Sequence, residues 1–425
     1  MSRADTHRAI EAVWRLEAPK LVAALIRVVR DIDLAEELAQ DALVAALEHW
    51  PTAGVPDNPA AWLMTAAKRR GIDLLRHRQL VERKHAALDG DPESEAFTMP
   101  NLEALDDDIG DDLLRLIFTA CHPALSADAQ VALTLRLLGG LTTGEIARAF
   151  LTSEPTIAQR IVRAKRTLAD KRVPFEVPRG EELGARLAAV LGVIYLIFNE
   201  GYTATAGDDW IRPSLCEEAL RLGRTLAGLM PREPEVLGLQ ALMEIQASRL
   251  HARVASDGRP VLLLEQNRAL WDQLLIHRGL DALERARKLG GAEGPYALQA
   301  AIAACHARAA TAEATDWPRI AALYATLARV APSPVVELNR AVAVAMAEGP
   351  AAGLALVDAL GDTPALANYH LLPAVRGDLL AKLGRRDEAR AEFERAAQLT
   401  RNAQERKVML ERAQACVTPP TPAPL

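Results

Sequence analysis

A chain of 425 residues is long enough for two or three domains. Half of its residues are hydrophobic but only 4% are aromatic, which favours packed helices over strands, because strands select β-branched and aromatic side chains. The net charge of −6 taken alone argues against a nucleic-acid partner. The four cysteines show no CxxC or Cys/His spacing, so we expect no disulfide framework and no zinc site. The amino terminus lacks an apolar signal core, and the apolar run at 187–198 is too short to span a bilayer, which predicts a cytoplasmic protein without a membrane partner.

The distribution of charge along the chain is more informative than its sum. Residues 68–84 carry seven Lys or Arg against two acids, and residues 154–172 carry six against two. Between them, residues 85–114 hold ten acids and no Lys or Arg. Two basic segments separated by an acidic one predict local surfaces for an anionic partner.

The first segment, residues 9–85, has helical periodicity. An apolar stripe recurs between residues 35 and 47, and polar side chains lie on or beside the opposite face: Glu36, Glu37, Gln40 and Asp41. Residues 51–59 contain three prolines and a glycine, which indicates a constrained loop. Asn58 is a suitable helix cap and Pro59 a suitable first helical residue. The next helix, predicted to run to about residue 78, carries a basic set: Lys68, Arg69, Arg70, Arg76 and Arg78.

Residues 86–112 have the acidic, Gly- and Pro-containing composition of a linker, and residues 113–172 are helical again. Within them, residues 141–168 predict a short helix, a tight turn and a basic second helix. Ile146 and Ala147 would be buried, Ser153 would cap the second helix, and Ile157 and Ile161 would face inward. This is the pattern of a helix-turn-helix, whose second helix enters the major groove of DNA. A plain helical hairpin with a solvated charged face is the alternative.

Residues 181–416 are patterned as helices almost throughout, and residues 417–425 are expected to be disordered. The spacing of Gly377, Ala389, Phe393 and Ala396 is typical of a tetratricopeptide helix pair, and a weaker copy begins near Ile320. Carboxylates and a histidine occur in loop-rich stretches near residues 200–212 and 251–272, but no spacing matches a metal site or a catalytic triad. Helical arrays ordinarily provide concave binding surfaces. We therefore expect no enzyme activity, no cofactor and no metal.

Three stretches in order resemble the bacterial sigma-70 family of RNA polymerase sigma factors, extracytoplasmic-function group. DLAEELAQDALVAALEHW (33–50) resembles its polymerase-binding helix, and NPAAWLMTAAKRRGIDLLRHR (58–78) resembles its −10 helix. LTTGEIARAFLTSEPTIAQRIVRAKRTL (141–168) is similar to its −35 module. The remainder resembles the extension of a subgroup with a tetratricopeptide-like carboxy-terminal domain.

The resemblance implies a sigma factor, with region 2 at 9–85, an acidic linker at 86–112, region 4 at 113–172 and a helical domain at 181–416. Core RNA polymerase and promoter DNA would be the partners. The acidic set on 33–50 would meet the β′ clamp helices, region 4 would meet the β flap, and a regulator would act on the carboxy-terminal domain. The −10 element would be contacted by Asp57, Asn58, Lys68, Arg69, Arg70, Arg76 and Arg78. The −35 element would be contacted by Glu154, Thr156, Gln159, Arg160, Arg163, Lys165 and Arg166.

The chain departs from the family pattern at the turn, where Leu151 and Pro155 stand in place of glycines. Because a β-carbon disfavours positive φ, we expect Leu151 to adopt a different turn geometry. A second hypothesis remains open: a stand-alone helix-turn-helix regulator with a tetratricopeptide sensor. That hypothesis leaves residues 33–78 unexplained.

Overall fold

The computed structural model describes residues 3–73, 109–255 and 258–417, and the chain divides into two compact units, Met1–Val193 and Ile194–Leu425. Helices make up both units, and these described ranges contain no β-strand. The predicted all-α fold class is confirmed. Most of the predicted linker, Arg76, Arg78 and the tail from residue 418 lie outside the described residues.

The helices of the amino-terminal unit are α1 (Arg3–Val29), α2 (Ile32–Ala53), α3 (59–73), α4 (Ile109–Ala120), α5 (Ala127–Leu137), α6 (Thr143–Ala149) and α7 (Glu154–Asp170), and α8 (Glu181–Tyr202) crosses the boundary to the second unit. Side-chain caps begin several of them. Asp31 accepts from the backbone N–H of Leu34 at 3.0 Å, and Asn58 accepts from that of Ala61 at 3.1 Å. Such caps satisfy N–H groups that have no partner inside the helix. Asn58 and Pro59 therefore begin α3 as predicted.

The core of this unit forms where α1 packs on α2 and α4. Leu25, Leu38 and Leu116 are fully buried there. The start of α4 differs from the prediction, because it begins at Ile109, inside the segment expected to be linker. The physical reason is Asp112, whose fully buried carboxylate accepts from Arg27 Nε at 2.7 Å and from Arg115 Nη1 at 2.6 Å. An acid in the first turn suits the helix dipole, and a buried charge requires partners.

The carboxy-terminal unit continues with α9 (Pro213–Leu229), α10 (Pro234–Ala247), α11 (Gln273–Lys288), α12 (Pro295–Arg308), α13 (Trp317–Val330), α14 (Pro334–Glu348), α15 (Pro350–Asp358), α16 (Leu371–Lys382), α17 (Arg386–Leu399) and α18 (Ala403–Ala415). Each helix from α12 onward packs on the next one along the chain. At the α16–α17 crossing, a β-carbon at Gly377 would lie 3.0 Å from the Phe393 ring. A β-carbon here would require the Phe393 ring to shift, so glycine suits this close approach, which gives a physical reason for the Gly377 and Phe393 spacing seen in the sequence.

Asn402 joins the beginning and the end of the carboxy-terminal unit. It is fully buried, and its side-chain N–H₂ donates to the carbonyls of Ala204 and Asp209 at 3.1 and 2.8 Å. Its side-chain oxygen caps α18 by accepting from the N–H groups of Gln404 and Glu405. The loop after α8 is thereby fixed in place.

Candidate nucleic-acid interface

The helix pair α6–α7 has the geometry of a helix-turn-helix. Thr142 and Glu145 form a reciprocal capping box at the start of α6, and Ser153 caps α7 by accepting from the N–H of Thr156. Ile146 and Ala147 are buried on α6, as predicted. The two helices are therefore fixed by local hydrogen bonds as well as by apolar packing.

The turn corrects one expectation. Leu151 has φ 48°, so it does adopt the left-handed conformation that its β-carbon disfavours. The reason is a Schellman ending of α6: the N–H of Thr152 bonds the carbonyl of Ala147 at 3.0 Å, and that of Leu151 reaches Arg148 at 3.4 Å. These bonds require positive φ at the intervening residue. The Leu151 side chain is 56% exposed and meets no steric obstacle in solvent.

Helix α7 has two distinct faces. Ile157, Ile161, Ala164 and Leu168 are buried against the rest of the module. Five of the predicted −35 residues are exposed on the other side of the helix, and they are Glu154, Thr156, Gln159, Arg163 and Arg166. Arg160 is half-buried and pairs with Asp128 of α5 at 3.2 Å. The first half of α7 therefore presents donors and acceptors that can reach base edges.

Lys165 lies in a different environment from the other basic residues of α7. Its ammonium pairs with Asp33 of α2 at 2.7 Å and also with Glu36, and Arg136 of α5 pairs with Glu36 at 3.2 Å. The side chains of Lys165 and Glu36 are each only 12% exposed. We call these four residues the α2–α7 clasp. Burial lowers the pKa of Lys165, but Glu36 and Asp33 more than offset this and raise the pKa above its usual value.

The clasp brings together residues that the sequence assigned to two different partners. Glu36 was predicted to bind polymerase and Lys165 to bind DNA. Their pairing was not predicted, and neither were the roles of Asp33 and Arg136. Helical periodicity reports which face of one helix is buried and carries no information on which two faces meet across about 130 residues of chain. On the same face of α2, Glu37 and Gln40 are exposed and Asp41 is half-buried.

The predicted −10 residues lie on α3 and the loop before it. Asp57 is exposed, while the side-chain oxygen of Asn58 is engaged as the α3 cap. Arg69 and Arg70 are exposed and Lys68 is half-buried. Trp62 is half-buried and packs edge-on against Trp50, with 5.4 Å between the ring centroids. Trp62 therefore packs α3 against α2.

The comparisons with known proteins agree with this geometry. Residues 13–81 match sigma-70 region 2, residues 115–168 match sigma-70 region 4, and residues 186–287 match a family of unknown function, DUF6596. The chain is 31% identical over 156 residues to the ECF RNA polymerase sigma factor SigK of Mycobacterium bovis (strain BCG / Pasteur 1173P2), which covers 35% of this chain and 78% of that protein. It is 28% identical over 157 residues to the ECF RNA polymerase sigma factor SigK of Mycobacterium ulcerans (strain Agy99), with 35% and 78% covered.

A longer match extends through both units. Over 389 residues the chain is 46% identical to the uncharacterized protein R00370 of Rhizobium meliloti (strain 1021), and the match covers 91% of each chain. A helix-turn-helix with an exposed basic second helix defines a DNA-binding protein. The chain belongs to the extracytoplasmic-function group of sigma-70 RNA polymerase sigma factors, and it carries a carboxy-terminal extension beyond the two sigma regions. In the described ranges, no helix is long and apolar enough to cross a membrane.

Proposed function

We propose that this sigma factor brings core RNA polymerase to promoters whose −35 element is read by α7 and whose −10 element is opened by α3 and the loop before it. Core polymerase binds the acidic face of α2 through the β′ clamp helices and binds region 4 through the β flap. The carboxy-terminal unit regulates this activity. The observation that carries the proposal is the exposed polar face on the first half of α7, directly after the capped turn.

The −35 assignment rests on the chemistry of that face. The Glu154 carboxylate accepts from the amino group of cytosine, the Gln159 amide pairs with adenine, and a guanidinium at Arg160 or Arg163 reaches guanine. Thr156 stands on the same first turn. Lys165 and Arg166 lie farther along the helix, where contact with the phosphate backbone is expected.

The −10 assignment rests on the loop at 51–58 and on the charge of α3. Asp57 and Asn58 are placed at the start of α3, where an unstacked base can be held and its edge read. Lys68, Arg69 and Arg70, with Arg76 and Arg78 farther along the chain, neutralise phosphates and add affinity without sequence information.

The clasp implies a closed state that competes with both partners. Glu36 cannot meet a basic polymerase surface, nor Lys165 a phosphate, while each is bonded to the other at 12% exposure. Promoter-bound holoenzyme therefore requires the clasp to open. A regulator that acts on the carboxy-terminal unit could shift the equilibrium between the closed and the open clasp.

The direct test is transcription in vitro with the full chain and core polymerase. Transcripts should start at discrete promoters, and Arg163→Ala should lower promoter-specific transcription roughly 10- to 100-fold because one base contact contributes about 1–3 kcal/mol. Core binding should be unchanged in this variant. Lys171→Ala is the matched control, since Lys171 is exposed at the far end of α7. Failure to bind core polymerase would contradict the proposal, and tight duplex binding without polymerase would support a stand-alone regulator instead.

The regulatory part needs a separate test, a comparison of the full chain with a truncated one. A deletion from residue 181 would also remove Arg186, which donates to the carbonyl of Phe118 at 3.0 Å and holds α4. Truncation after Val193 keeps that bond. The truncated chain should differ from the full chain in transcript yield or promoter choice, whereas identical profiles would show that the second unit is passive.

A further inference from the structure

Three arginines of the carboxy-terminal unit gather around three aromatic rings, those of Tyr202, Trp210 and Trp271. The guanidinium carbon of Arg253 lies 3.8 Å from the ring centroid of Tyr202, and that of Arg268 lies 4.9 Å from the centroid of Trp271. The guanidinium carbon of Arg249 lies 5.7 Å from the centroids of both Tyr202 and Trp271. We call Arg249, Arg253 and Arg268 the arginine cluster.

The cluster has little negative charge beside it in the part of the chain that the structure describes: the charge of Glu313 acts on Arg268 without forming an ion pair. Within the described ranges, none of its three guanidinium groups forms an ion pair with a carboxylate. Arginines elsewhere in the same unit are treated differently: Arg212 pairs with Glu200, and Arg224 bonds the fully buried Glu244 at 2.7 Å. The unit thus supplies buried or half-buried carboxylates to both of these arginines.

Arg253 is the most costly member of the cluster to leave without a counter-charge. It is only 9% exposed, and its Nη2 reaches two neutral oxygens, the carbonyl of Tyr202 and the hydroxyl of Thr203, each at 2.9 Å. Its Nε–H has no partner. Burial, together with the charge of Arg249, lowers the pKa of Arg253. A buried charge normally has an opposite charge beside it.

Hydrogen-bond donors around the cluster also outnumber the acceptors that they contact. The indole N–H groups of Trp210 and Trp271 are buried without an acceptor, and both rings contact arginines of the cluster. Arg268 is accounted for by the end of α12, where it donates to the carbonyls of His306 and Ala309. Among the described residues, Arg249 donates only to the Tyr202 hydroxyl, and it is half-buried, so solvent can reach it. Within the described part of the chain, Arg249 and Arg253 are therefore the two members of the cluster that most need an opposite charge.

We propose that the arginine cluster is a binding site for a phosphoryl group, supplied by inorganic phosphate or by a phosphate monoester. Guanidinium groups match phosphate oxygens with two parallel hydrogen bonds, and a dianion offsets two cations at once. Arg249 would provide the solvent-facing contact and Arg253 the buried charge. No bond is made or broken. This inference stands independently of the promoter assignments.

The test uses the full chain in chloride buffers of constant ionic strength, titrated with inorganic phosphate or with glycerol 2-phosphate and followed by calorimetry. Saturable binding is expected. Because the ligand binds only the folded state, it should also raise the free energy of unfolding of the protein. Arg249→Gln should weaken the apparent affinity at least roughly tenfold, since it removes a charge-assisted contact. Arg285→Gln, which changes an exposed arginine of α11, is the matched control. Arg163→Gln controls for phosphate bound by the DNA-reading helix.

A second readout separates binding from a structural role of Arg249. Bound phosphate should raise the pKa of His306, which burial and the charges of Arg249 and Arg268 now lower. The shift should appear in NMR titrations of the wild-type chain and be absent from Arg249→Gln. A preference for glycerol 2-phosphate would identify a monoester as the ligand, and equal affinities would identify phosphate itself. The proposal is overturned if phosphate does not saturate, or if Arg249→Gln binds it as tightly as Arg285→Gln does.

Discussion

The clasp of the amino-terminal unit and the arginine cluster of the carboxy-terminal unit surround positive charge in opposite ways. In the amino-terminal unit, Lys165 and Arg136 both form ion pairs with Glu36 where α2, α5 and α7 meet. In the carboxy-terminal unit, Arg249 and Arg253 face aromatic rings and neutral oxygens. The first arrangement is complete within the chain, so a partner has to compete with it. The second is incomplete, so a partner adds to it.

The largest expected effect lies beside the arginine cluster. Burial and the charges of Arg249 and Arg268 lower the pKa of His306 from its usual 6.5 to about 4. As the pH falls, His306 is protonated in the unfolded chain before it is protonated in the folded one. The contribution of neutral His306 to the free energy of unfolding is therefore complete above pH 6.5 and is lost as the pH approaches 4. Over this range the loss is about 3 kcal/mol. Urea unfolding of the full chain between pH 7 and pH 4 measures it.

The control for this prediction is His306→Gln, which keeps a polar side chain and cannot be protonated. Its stability should fall less steeply with acid than that of the wild type. His122 in the amino-terminal unit also has a pKa lowered by burial, but it is more exposed than His306. The acid dependence of the stability of His122→Gln can therefore be compared with that of His306→Gln. Equal acid sensitivity in wild type and His306→Gln would show that other groups control the unfolding.

The helices around the arginine cluster could be predicted from the sequence, but the contacts that form the cluster could not. Periodicity and breaks predicted helices through residues 181–416, because amphipathic spacing is a local property. Nothing in that spacing placed Arg253 against Tyr202, since their contact depends on how α8 meets the segment after α10. The sequence places Glu200 and Arg212 in one loop-rich stretch and Arg253 in another, and it does not show which of them pair. Glu200 and Arg212 form an ion pair with each other, whereas Arg253 forms none with any residue that the structure describes.

The next largest expected effect is a change in the affinity for core polymerase when the clasp is weakened. Arg136→Gln removes one partner of Glu36 without changing any residue proposed to touch polymerase or DNA. If closure competes with polymerase, the affinity for core should rise roughly three- to tenfold, a range suited to a half-buried ion pair. Asp33→Asn should act in the same direction but less, because the Asp33 side chain is 76% exposed. Binding of the labelled full chain to core polymerase measures both.

The matched control is Arg15→Gln. Arg15 lies 3.8 Å from Glu145, but the Arg15 side chain is 66% exposed, so this ion pair should contribute little to closure. Thermal melting of each variant separates a loosened clasp from misfolding. A core affinity that stays at the wild-type value in Arg136→Gln and in Asp33→Asn would show that the clasp does not limit access to Glu36.

Within the helix-turn-helix, the sequence predicted most of what the structure contains. Ser153 as cap, Ile157 and Ile161 as buried positions, and the exposure of Gln159 and Arg163 follow from spacing within one helix. Lys165 could not be predicted from such spacing, because its partners Asp33 and Glu36 are remote in the chain. The turn at Leu151 was predicted wrongly, because the preference of one residue was given more weight than the hydrogen bonds of a helix ending.

That turn gives the smallest expected effect and the narrowest test. Leu151 is held at φ 48° by the bonds that end α6, and a β-carbon in this region is disfavoured by roughly 1–2 kcal/mol. Leu151→Gly removes this strain but gives the unfolded chain more freedom, so the net stabilisation should be about 0.5–1 kcal/mol. Leu151→Ala is the control: it removes the same exposed apolar surface and keeps the β-carbon, so it should gain nothing. Urea unfolding distinguishes the two, and equal stabilities would mean that the turn carries no strain. The same turn sets the angle between α6 and α7. If the stabilised Leu151→Gly variant binds its −35 element as tightly as the wild type, the hydrogen bonds of the helix ending fix that angle and the leucine side chain does not.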